Sequence, residues 1–367
     1  MSSANSALFP PGEYILDELQ ARGWTQDTLA DILGRSAKFV SLLITGKKRI
    51  EPRTAKELGA AFGTSAELWM NLESAYRLGI EDREQDDVAR RAKLYDVAPV
   101  RDMVKRGWLK ECNTTEEREE AVAEFFEGFC GAAAARKSTP YETTTPTQRA
   151  WLQRAYQLAT SIPIEKIFSR DRMRQSLDRL HALTASEQEV RHVPAVLADM
   201  GIRFVVVEPL PRSKMDGATM WIDSRRPVIA VSLRYDRIDS FWHTLCHEMI
   251  HVLHGDEWSV DDDLISGETS QSPNRPEHER RADAEAGNFL IAYDALDSFI
   301  MRHKPRFSKA NIVRFANRYG IHPGIVVGQL QFRNAIRYSH SREMLVPVRG
   351  ILTDVAITDG WGHIPQT

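Results

Sequence analysis

A run of five residues carries two histidines and a glutamate at helical spacing, namely His247, Glu248 and His251. The apolar pattern over residues 240 to 254 predicts a single helix, and Gly255 is placed to end it. Residues four apart lie on one face of a helix, so both imidazoles can bind the same cation. Glu248 lies beside them, where its carboxylate can act as a general base. The run therefore predicts a metal site with its own base, against the alternative in which the histidines only satisfy a buried helix.

Further along the chain, Glu279 and Asp283 have the spacing that a zinc site of the gluzincin type requires. Such a site takes a third ligand from a glutamate and, one helical turn later, an aspartate that orients a ligating histidine. The metzincin alternative requires Gly at position 254 and His at position 257, and the chain has His254 and Glu257 there. We therefore expect Glu279 to complete a zinc site and Asp283 to orient a histidine. Other candidates for the third ligand stay open: His243, Glu257, Glu277 and His278.

The residues around the motif carry a family resemblance in four blocks, at positions 217–221, 227–239, 241–248 and 279–291. Together they resemble the ImmA/IrrE family of metallo-endopeptidases over roughly residues 200 to 335. The resemblance implies that His247, His251 and Glu279 hold zinc, that Glu248 is the catalytic base, and that the substrate is a transcriptional repressor. The chain departs from the family pattern at Ile250, His243 and Glu285, and none of these departures removes a ligand that the resemblance implies. We name Tyr293 and His254 as candidate oxyanion donors.

A second strong pattern lies near the N-terminus, where Thr25 can cap a helix that ends at Gly34. Further helices are expected over residues 36–45, 52–62 and 65–76, which is the helix-turn-helix order. Between residues 35 and 56 there are seven Lys and Arg against one acid, although residues 1 to 80 carry nine charges of each sign. A cationic segment of this kind predicts contact with the phosphates of duplex DNA.

The same region resembles the Cro/cI-like antitoxins of the HigA family over residues 8 to 78, through the wording at positions 25–30, 44–48 and 68–72. The resemblance implies a homodimer on a palindromic operator, and a cognate toxin as a possible protein partner. Residues expected in the major groove are Ser36, Lys38, Phe39 and Ser41, and those expected on phosphates are Gln26, Thr45, Lys47 and Lys48. A core position for Phe39 stays open, and Trp69 is expected to pack.

The predicted fold class is α+β and mostly helical, in four segments. Residues 1–80 form a four- to five-helix helix-turn-helix domain, and residues 81–199, which begin with alternating charges, form a helical linker or sensor region. Residues 200–345 form a gluzincin-like domain with a small antiparallel sheet, and residues 346–367 form a C-terminal tail.

Two details of the third segment bear on function. Strands are expected at residues 202–208, 218–222 and 228–233, beside the motif helix. Helices at 308–319 and 323–337 could pass for a second helix-turn-helix, but their apolar residues Val326, Val327 and Leu330 favour a packing role.

Composition indicates a folded cytoplasmic protein without a membrane anchor. No apolar run approaches the roughly 20 residues of a membrane helix, and residues 1–7 lack the features of a signal peptide. Cys112, Cys130 and Cys246 are scattered and odd in number, so no disulfide framework is predicted. Cys246 is expected to be a small core residue.

Two functions follow from these patterns. In the first, the protein is a DNA-binding regulator whose zinc endopeptidase domain cleaves itself or a partner repressor. In the second, it is a HigA-like antitoxin or autorepressor whose metal domain is structural or sensing. Glu248 favours the first, because a purely structural metal site does not need a general base.

Overall fold

The computed structural model describes residues 9–128, 144–163, 166–256, 259–262 and 276–360, without the side chains of residues 80–86 and 259–262. The chain separates into two compact units, Met1–Lys93 and Leu94–Thr367. In the described part of the chain, no helix has the length and apolar character needed to cross a membrane.

Five helices begin in the first unit: α1 (Pro11–Arg22), α2 (Gln26–Leu33), α3 (Ala37–Ile44), α4 (Pro52–Phe62) and α5 (Ala66–Val97). Thr25 begins α2, because its hydroxyl accepts a hydrogen bond from the Thr28 N–H at 3.1 Å. Ser36 begins α3 in the same way, with the Phe39 N–H at 3.3 Å. The expected helix-turn-helix order is confirmed. The alternating charges after residue 80 continue α5 instead of interrupting it.

The first unit encloses one apolar core. Leu29, Val40, Leu43 and Leu58 are buried there with Trp69, whose indole N–H donates to the Thr64 hydroxyl at 2.8 Å. The expectation that Trp69 packs is therefore confirmed. Because Val40 and Leu43 turn inward, the opposite face of α3 is left to solvent.

The second unit begins with helices α6 (Val100–Lys105), α7 (Thr115–Phe125), α8 (Pro146–Thr160), α9 (Arg170–Ala182) and α10 (Val193–Met200). Three strands follow, β1 (Arg203–Val206), β2 (Met215–Trp221) and β3 (Pro227–Val231), and then α11 (Ile238–His254) and β4 (Ser259–Asp262). The unit ends with α12 (Glu277–Leu290), α13 (Tyr293–His303), α14 (Lys309–Tyr319), α15 (Pro323–Phe332), α16 (Arg349–Thr353) and β5 (Ile357–Thr358).

The five strands form one sheet in the order β4-β2-β3-β1-β5. β2 pairs antiparallel with β3 and β4, whereas β1 runs parallel to both β3 and β5. The sheet is therefore mixed, and the expected antiparallel arrangement holds for β2 with β3 and β4 but not for β1. β1 runs in the same direction as β3 and opposite to β2. Because it pairs with β3, the second strand of the hairpin, its pairing is parallel.

The sheet carries apolar layers on both faces. On one face, Val205 and Met220 pack with α8, where the Trp151 indole N–H donates to the Val207 carbonyl at 2.9 Å. On the other face, Phe204 and Ile229 pack with α10, α11 and the later helices. The motif helix α11 therefore lies on a sheet that is buried on both sides, which fixes its position.

Candidate metal centre and helix-turn-helix surface

Helices α11 and α12 bring the three expected metal ligands together. His247 and His251 are fully buried on one face of α11, and their Nε2 atoms lie 3.0 Å apart. Glu279, in the first turn of α12, places its Oε2 3.2 Å from His247 Nε2 and its Oε1 3.6 Å from His251 Nε2. One ligand atom from each residue thus lies within 4.8 Å of the other two.

Each histidine is oriented by a carboxylate at its other ring nitrogen. Asp283 Oδ1 lies 2.9 Å from His247 Nδ1, at the place expected from its spacing. Asp256 Oδ2 lies 2.8 Å from His251 Nδ1 and 2.9 Å from the Arg281 guanidinium. A carboxylate at Nδ1 favours the tautomer with its proton there, which leaves Nε2 as a lone-pair donor.

Sequence reasoning missed Asp256. Its position depends on the helix end, where Gly255 adopts a left-handed φ of 78° and turns the chain back toward His251. The Trp221 indole N–H holds the Asp256 carbonyl at 2.9 Å, so β2 also helps to place this loop. The sequence signal that could have predicted this contact is an acidic residue, Asp256, directly after Gly255, which ends the motif helix.

The donor set fits a zinc ion. Two imidazole nitrogens and one carboxylate are the ligands that zinc takes in catalytic sites, and here all three residues are buried. The Nε2 atoms of the two histidines lie 3.0 Å apart, which lets both face a single cation.

Glu248 lies next to the ligands, on the side of α11 that faces the sheet. Its Oε2 is 2.7 Å from the Thr219 hydroxyl, which also lies 2.9 Å from the Glu248 carbonyl. A Cβ at Gly217 would lie 2.4 Å from Glu248 Oε1, so only glycine leaves room for this carboxylate. Gly217 and Thr219 had no assigned role in the sequence, because their contact with Glu248 joins a strand to a helix.

The other candidate ligands lie around this centre. The His278 Nε2 lies 3.2 Å from Glu279 Oε1, with a partly exposed side chain, while Glu277 is exposed at the start of α12. The His243 ring centroid lies 6.4 Å from that of His247. Glu257 lies outside the described residues.

The two candidate oxyanion donors have other partners in the structure. The Tyr293 hydroxyl donates to the Ala284 carbonyl at 2.6 Å, and burial raises the pKa of Tyr293. His254 Nε2 lies 3.1 Å from Glu285. Burial also raises the pKa of the Cys246 thiol, which keeps it protonated as expected of a core cysteine.

A cavity of about 290 Å³ borders the metal centre between α11, α12 and α15. Its wall includes His243 and Asp283, together with the apolar side chains of Leu290, Ile325 and Phe332. Asp283 also contacts His247 Nδ1, so it borders both this cavity and the candidate metal site.

The first unit presents the expected DNA-contacting residues at one end of its helix pair. Those exposed are Gln26, Ser36, Lys38, Ser41, Thr45 and Lys47, and Lys48 is half-buried. Phe39 is also half-buried, and its ring lies under the cationic groups of Arg35 and Lys48, each 5.2 Å from the ring centroid. It thus occupies the border between core and surface.

Two of the seven cations in this segment are engaged by an acid just outside it. Arg35 and Arg53 pair with Glu57 at 2.9 and 3.0 Å. The hydrogen bond from Arg35 is the main reason that the pKa of Glu57 is lowered. Among the residues expected to contact DNA, Lys38, Lys47 and Lys48 therefore carry the positive charge.

Comparison with known proteins assigns both parts of the chain. The family model for the IrrE N-terminal-like domain matches residues 200–330, which run from β1 into α15 and include the three expected ligands. The uncharacterized HTH-type transcriptional regulator YddM of Escherichia coli (strain K12) is 30% identical over 84 residues, which are 23% of this chain and 88% of that protein.

Two solved structures are similar over the same N-terminal part. An addiction module antidote protein of the HigA family from Coxiella burnetii is 29% identical, with a TM-score of 0.21, over 21% of this chain and 86% of that one. The Pseudomonas aeruginosa antitoxin HigA, solved with the higBA promoter, is 33% identical, with a TM-score of 0.21, over 22% of this chain and 89% of that one.

Proposed function

Because this chain belongs to the HTH-type transcriptional regulators through its N-terminal unit and carries an IrrE N-terminal-like domain, we propose that it is a DNA-binding regulator with a zinc-dependent endopeptidase site. One observation carries the peptidase part of the proposal. Three buried ligand residues surround a single volume, and the buried carboxylate of Glu248 lies beside them. The substrate we propose is a protein, either this chain itself or a partner repressor.

His247, His251 and Glu279 would hold the zinc ion, which when bound supplies Lewis acidity toward the scissile carbonyl. Glu248 takes a proton from the attacking water as the water oxygen bonds to the carbonyl carbon. The same carboxyl then gives the proton to the nitrogen as the C–N bond breaks. The Thr219 hydroxyl, 2.7 Å from Oε2, holds the Glu248 carboxylate in place for both transfers.

The DNA-binding part of the proposal rests on the exposed face of α3. Ser36, Lys38 and Ser41 would lie in the major groove, with Phe39 at its margin. The residues proposed to contact phosphates are Gln26, Thr45, Lys47 and Lys48. A palindromic operator bound by a homodimer is the arrangement we propose, because helix-turn-helix proteins read two half-sites by two-fold symmetry.

Metal analysis is the first test. The protein and three variants, His247→Ala, Glu279→Ala and Glu248→Gln, are purified without a metal-affinity tag, and bound zinc is measured. We expect about one zinc per chain in the wild type and in Glu248→Gln, and loss in the two ligand variants. No zinc in the reconstituted wild type would contradict the metal site. Loss of zinc in Glu248→Gln would show that this residue is a ligand and not a base.

Turnover is tested separately from metal binding. Wild type and Glu248→Gln are each incubated alone and with candidate repressors, and new termini are identified by mass spectrometry. Cleavage by the wild type only supports the peptidase. If zinc is bound but neither protein yields new termini, the HigA-like antitoxin or autorepressor with a structural or sensing metal domain becomes the better account.

Operator binding completes the test of the first unit. Sequences selected from a random duplex library by the wild type should contain two related half-sites. Lys38→Ala should weaken binding to the selected duplex. Lys47→Ala should lower the slope of log affinity against log salt by the contribution of about one phosphate contact. A wild type that selects no sequence would contradict specific DNA binding.

A further inference from the structure

The second unit contains a segment of strongly unbalanced charge. Residues 298–349 include ten Lys and Arg and a single acid, Glu343, so the segment carries +9. The whole chain carries −3, so the remaining residues together carry −12 (−3 minus +9). Cations that segregate in this way on a chain that is acidic elsewhere mark a surface for an anionic partner.

Most of these cations lie at the surface of the molecule. The exposed ones are Arg302, Lys304, Arg306, Lys309, Arg314, Arg318, Arg337 and Arg342. The other two are half-buried and serve the fold, since Arg333 pairs with Asp297 and Arg349 pairs with Glu208. The apolar side chains of the same helices, including Val326, Val327 and Leu330, are buried as their pattern predicted. Eight of the ten cations are therefore exposed to solvent.

Two of the exposed cations, Arg306 and Arg337, line an open cleft of about 930 Å³, which we call the basic cleft. His340 and two aromatic side chains, Phe307 and Tyr338, belong to the same wall. Ser308 and Ser341 add hydroxyls to the same wall, next to Lys309 and Arg342 in the chain. Guanidinium and hydroxyl groups, including the hydroxyl of Tyr338, are groups that contact a phosphate backbone.

The wall of the cleft is held in place by a buried side chain. Gln331, which is fully buried, donates to the carbonyls of Tyr338 and His340 at 3.4 and 3.2 Å. Arg237 in turn donates to the Gln331 amide oxygen at 3.3 Å. The loop that carries Arg337 and His340 is thus anchored to the core of the unit.

We propose that the basic cleft and its flanking cations bind the phosphate backbone of duplex DNA, so that the peptidase unit itself is a second DNA-binding element. Duplex DNA presents one charge about every 1.7 Å along its axis, so it complements a segment that carries +9 better than a short acidic peptide does. Among the described residues, the exposed cations of residues 298–349 form one ion pair, between Lys309 and Glu343 at 3.7 Å. The guanidinium groups of Arg306, Arg337 and Arg342 are therefore available to phosphates.

The test uses the full chain in a background where the first unit is disabled by Lys38→Glu and Lys47→Glu. In that background the cleft variant carries Arg306→Glu, Arg337→Glu and Arg342→Glu. The matched control carries three equal charge reversals at exposed cations elsewhere in the same unit: Arg101→Glu, Lys110→Glu and Arg225→Glu. Affinity for a labelled duplex of arbitrary sequence is measured by fluorescence anisotropy between about 50 and 200 mM salt, the range over which phosphate contacts change affinity most visibly.

The disabled background should still bind DNA with a steep salt dependence. The cleft variant should lower the slope of log affinity against log salt by about 2.7, because each lost phosphate contact contributes about 0.9. The control should leave the slope near that of its background. Equal slopes in cleft variant and control would overturn the proposal, since only net charge would then matter. It would also be overturned if the background bound a polyglutamate peptide but no duplex. Neither outcome depends on cleavage or on operator recognition by the first unit.

Discussion

The carboxylate of Asp256 should set the zinc affinity through His251, although it is not itself a ligand. Its Oδ2 lies 2.8 Å from His251 Nδ1, which fixes the ring and increases the basicity of Nε2. Loss of such a contact typically lowers metal affinity by about 10- to 100-fold, or roughly 1.4 to 2.7 kcal/mol. Asp256→Asn keeps an oxygen that can accept a hydrogen bond from Nδ1–H, so its zinc affinity should fall by about tenfold. Asp256→Ala removes the contact, so its zinc affinity should fall by about 100-fold.

The neighbouring contacts let this effect be separated from general damage. Asp256 also pairs with Arg281, but both side chains are partly exposed, so that pair contributes only about 0–1 kcal/mol to stability. The Asp256 variants should therefore lose more zinc affinity than stability. Asp283→Asn acts on the other histidine, so the Asp256→Asn, Asp283→Asn double variant should lose more zinc affinity than either single variant.

The assay is equilibrium competition for zinc with a chromophoric chelator, together with urea unfolding of the zinc-free protein. Glu285→Gln is the matched control, because Glu285 contacts His254, a histidine on the same helix that is not an expected ligand. An Asp256→Ala protein whose zinc affinity stays within about twofold of the wild type would refute the reasoning. Asp256 would then belong only to the loop that follows the helix.

Three further outcomes follow from single contacts. Thr219→Val removes the hydroxyl 2.7 Å from Glu248 Oε2 and should lower kcat by about tenfold at unchanged zinc content, with recovery in Thr219→Ser. Burial lowers the pKa of His322 and Glu187 opposes the shift, so the unfolded chain binds more protons and stability should fall as pH drops from about 7 to 5. His322→Gln should flatten that dependence in urea unfolding at several pH values, and an unchanged slope would exclude His322 as its source. Leu58→Ala leaves a cavity in the fully buried core of the first unit and should cost about 2–5 kcal/mol in urea unfolding of that unit; a loss under 1 kcal/mol would contradict close packing there.

Local spacing explains which parts of the site were readable in the sequence. His247 and His251 are one helical turn apart, and Asp283 follows Glu279 by one turn, so each pair shares a helix face wherever its helix lies. Thr219 and Gly217 approach Glu248 only because β2 lies against α11. Nothing in the spacing of a strand residue and a helix residue fixes such a contact.

The same distinction applies to the sheet. The β2–β3 hairpin was readable, because its two strands are joined by a tight turn and pair antiparallel. The parallel pairing of β1 with β3 and β5 could not be predicted, because it depends on which edge of the β2–β3 hairpin β1 joins in the folded protein. The C-terminal residues expected to form a tail supply β5 and the buried Val348 and Leu352.

The candidate ligands, the helices that carry them and the order of the N-terminal helix pair could be predicted from the sequence. These follow from periodicity, capping residues and charge, which act over a few residues of chain. The contact of Asp256 with His251, the setting of Glu248 and the basic cleft are visible only in the folded structure. The last two join residues that are distant in sequence, and their contacts are fixed by packing on a sheet that is covered on both faces.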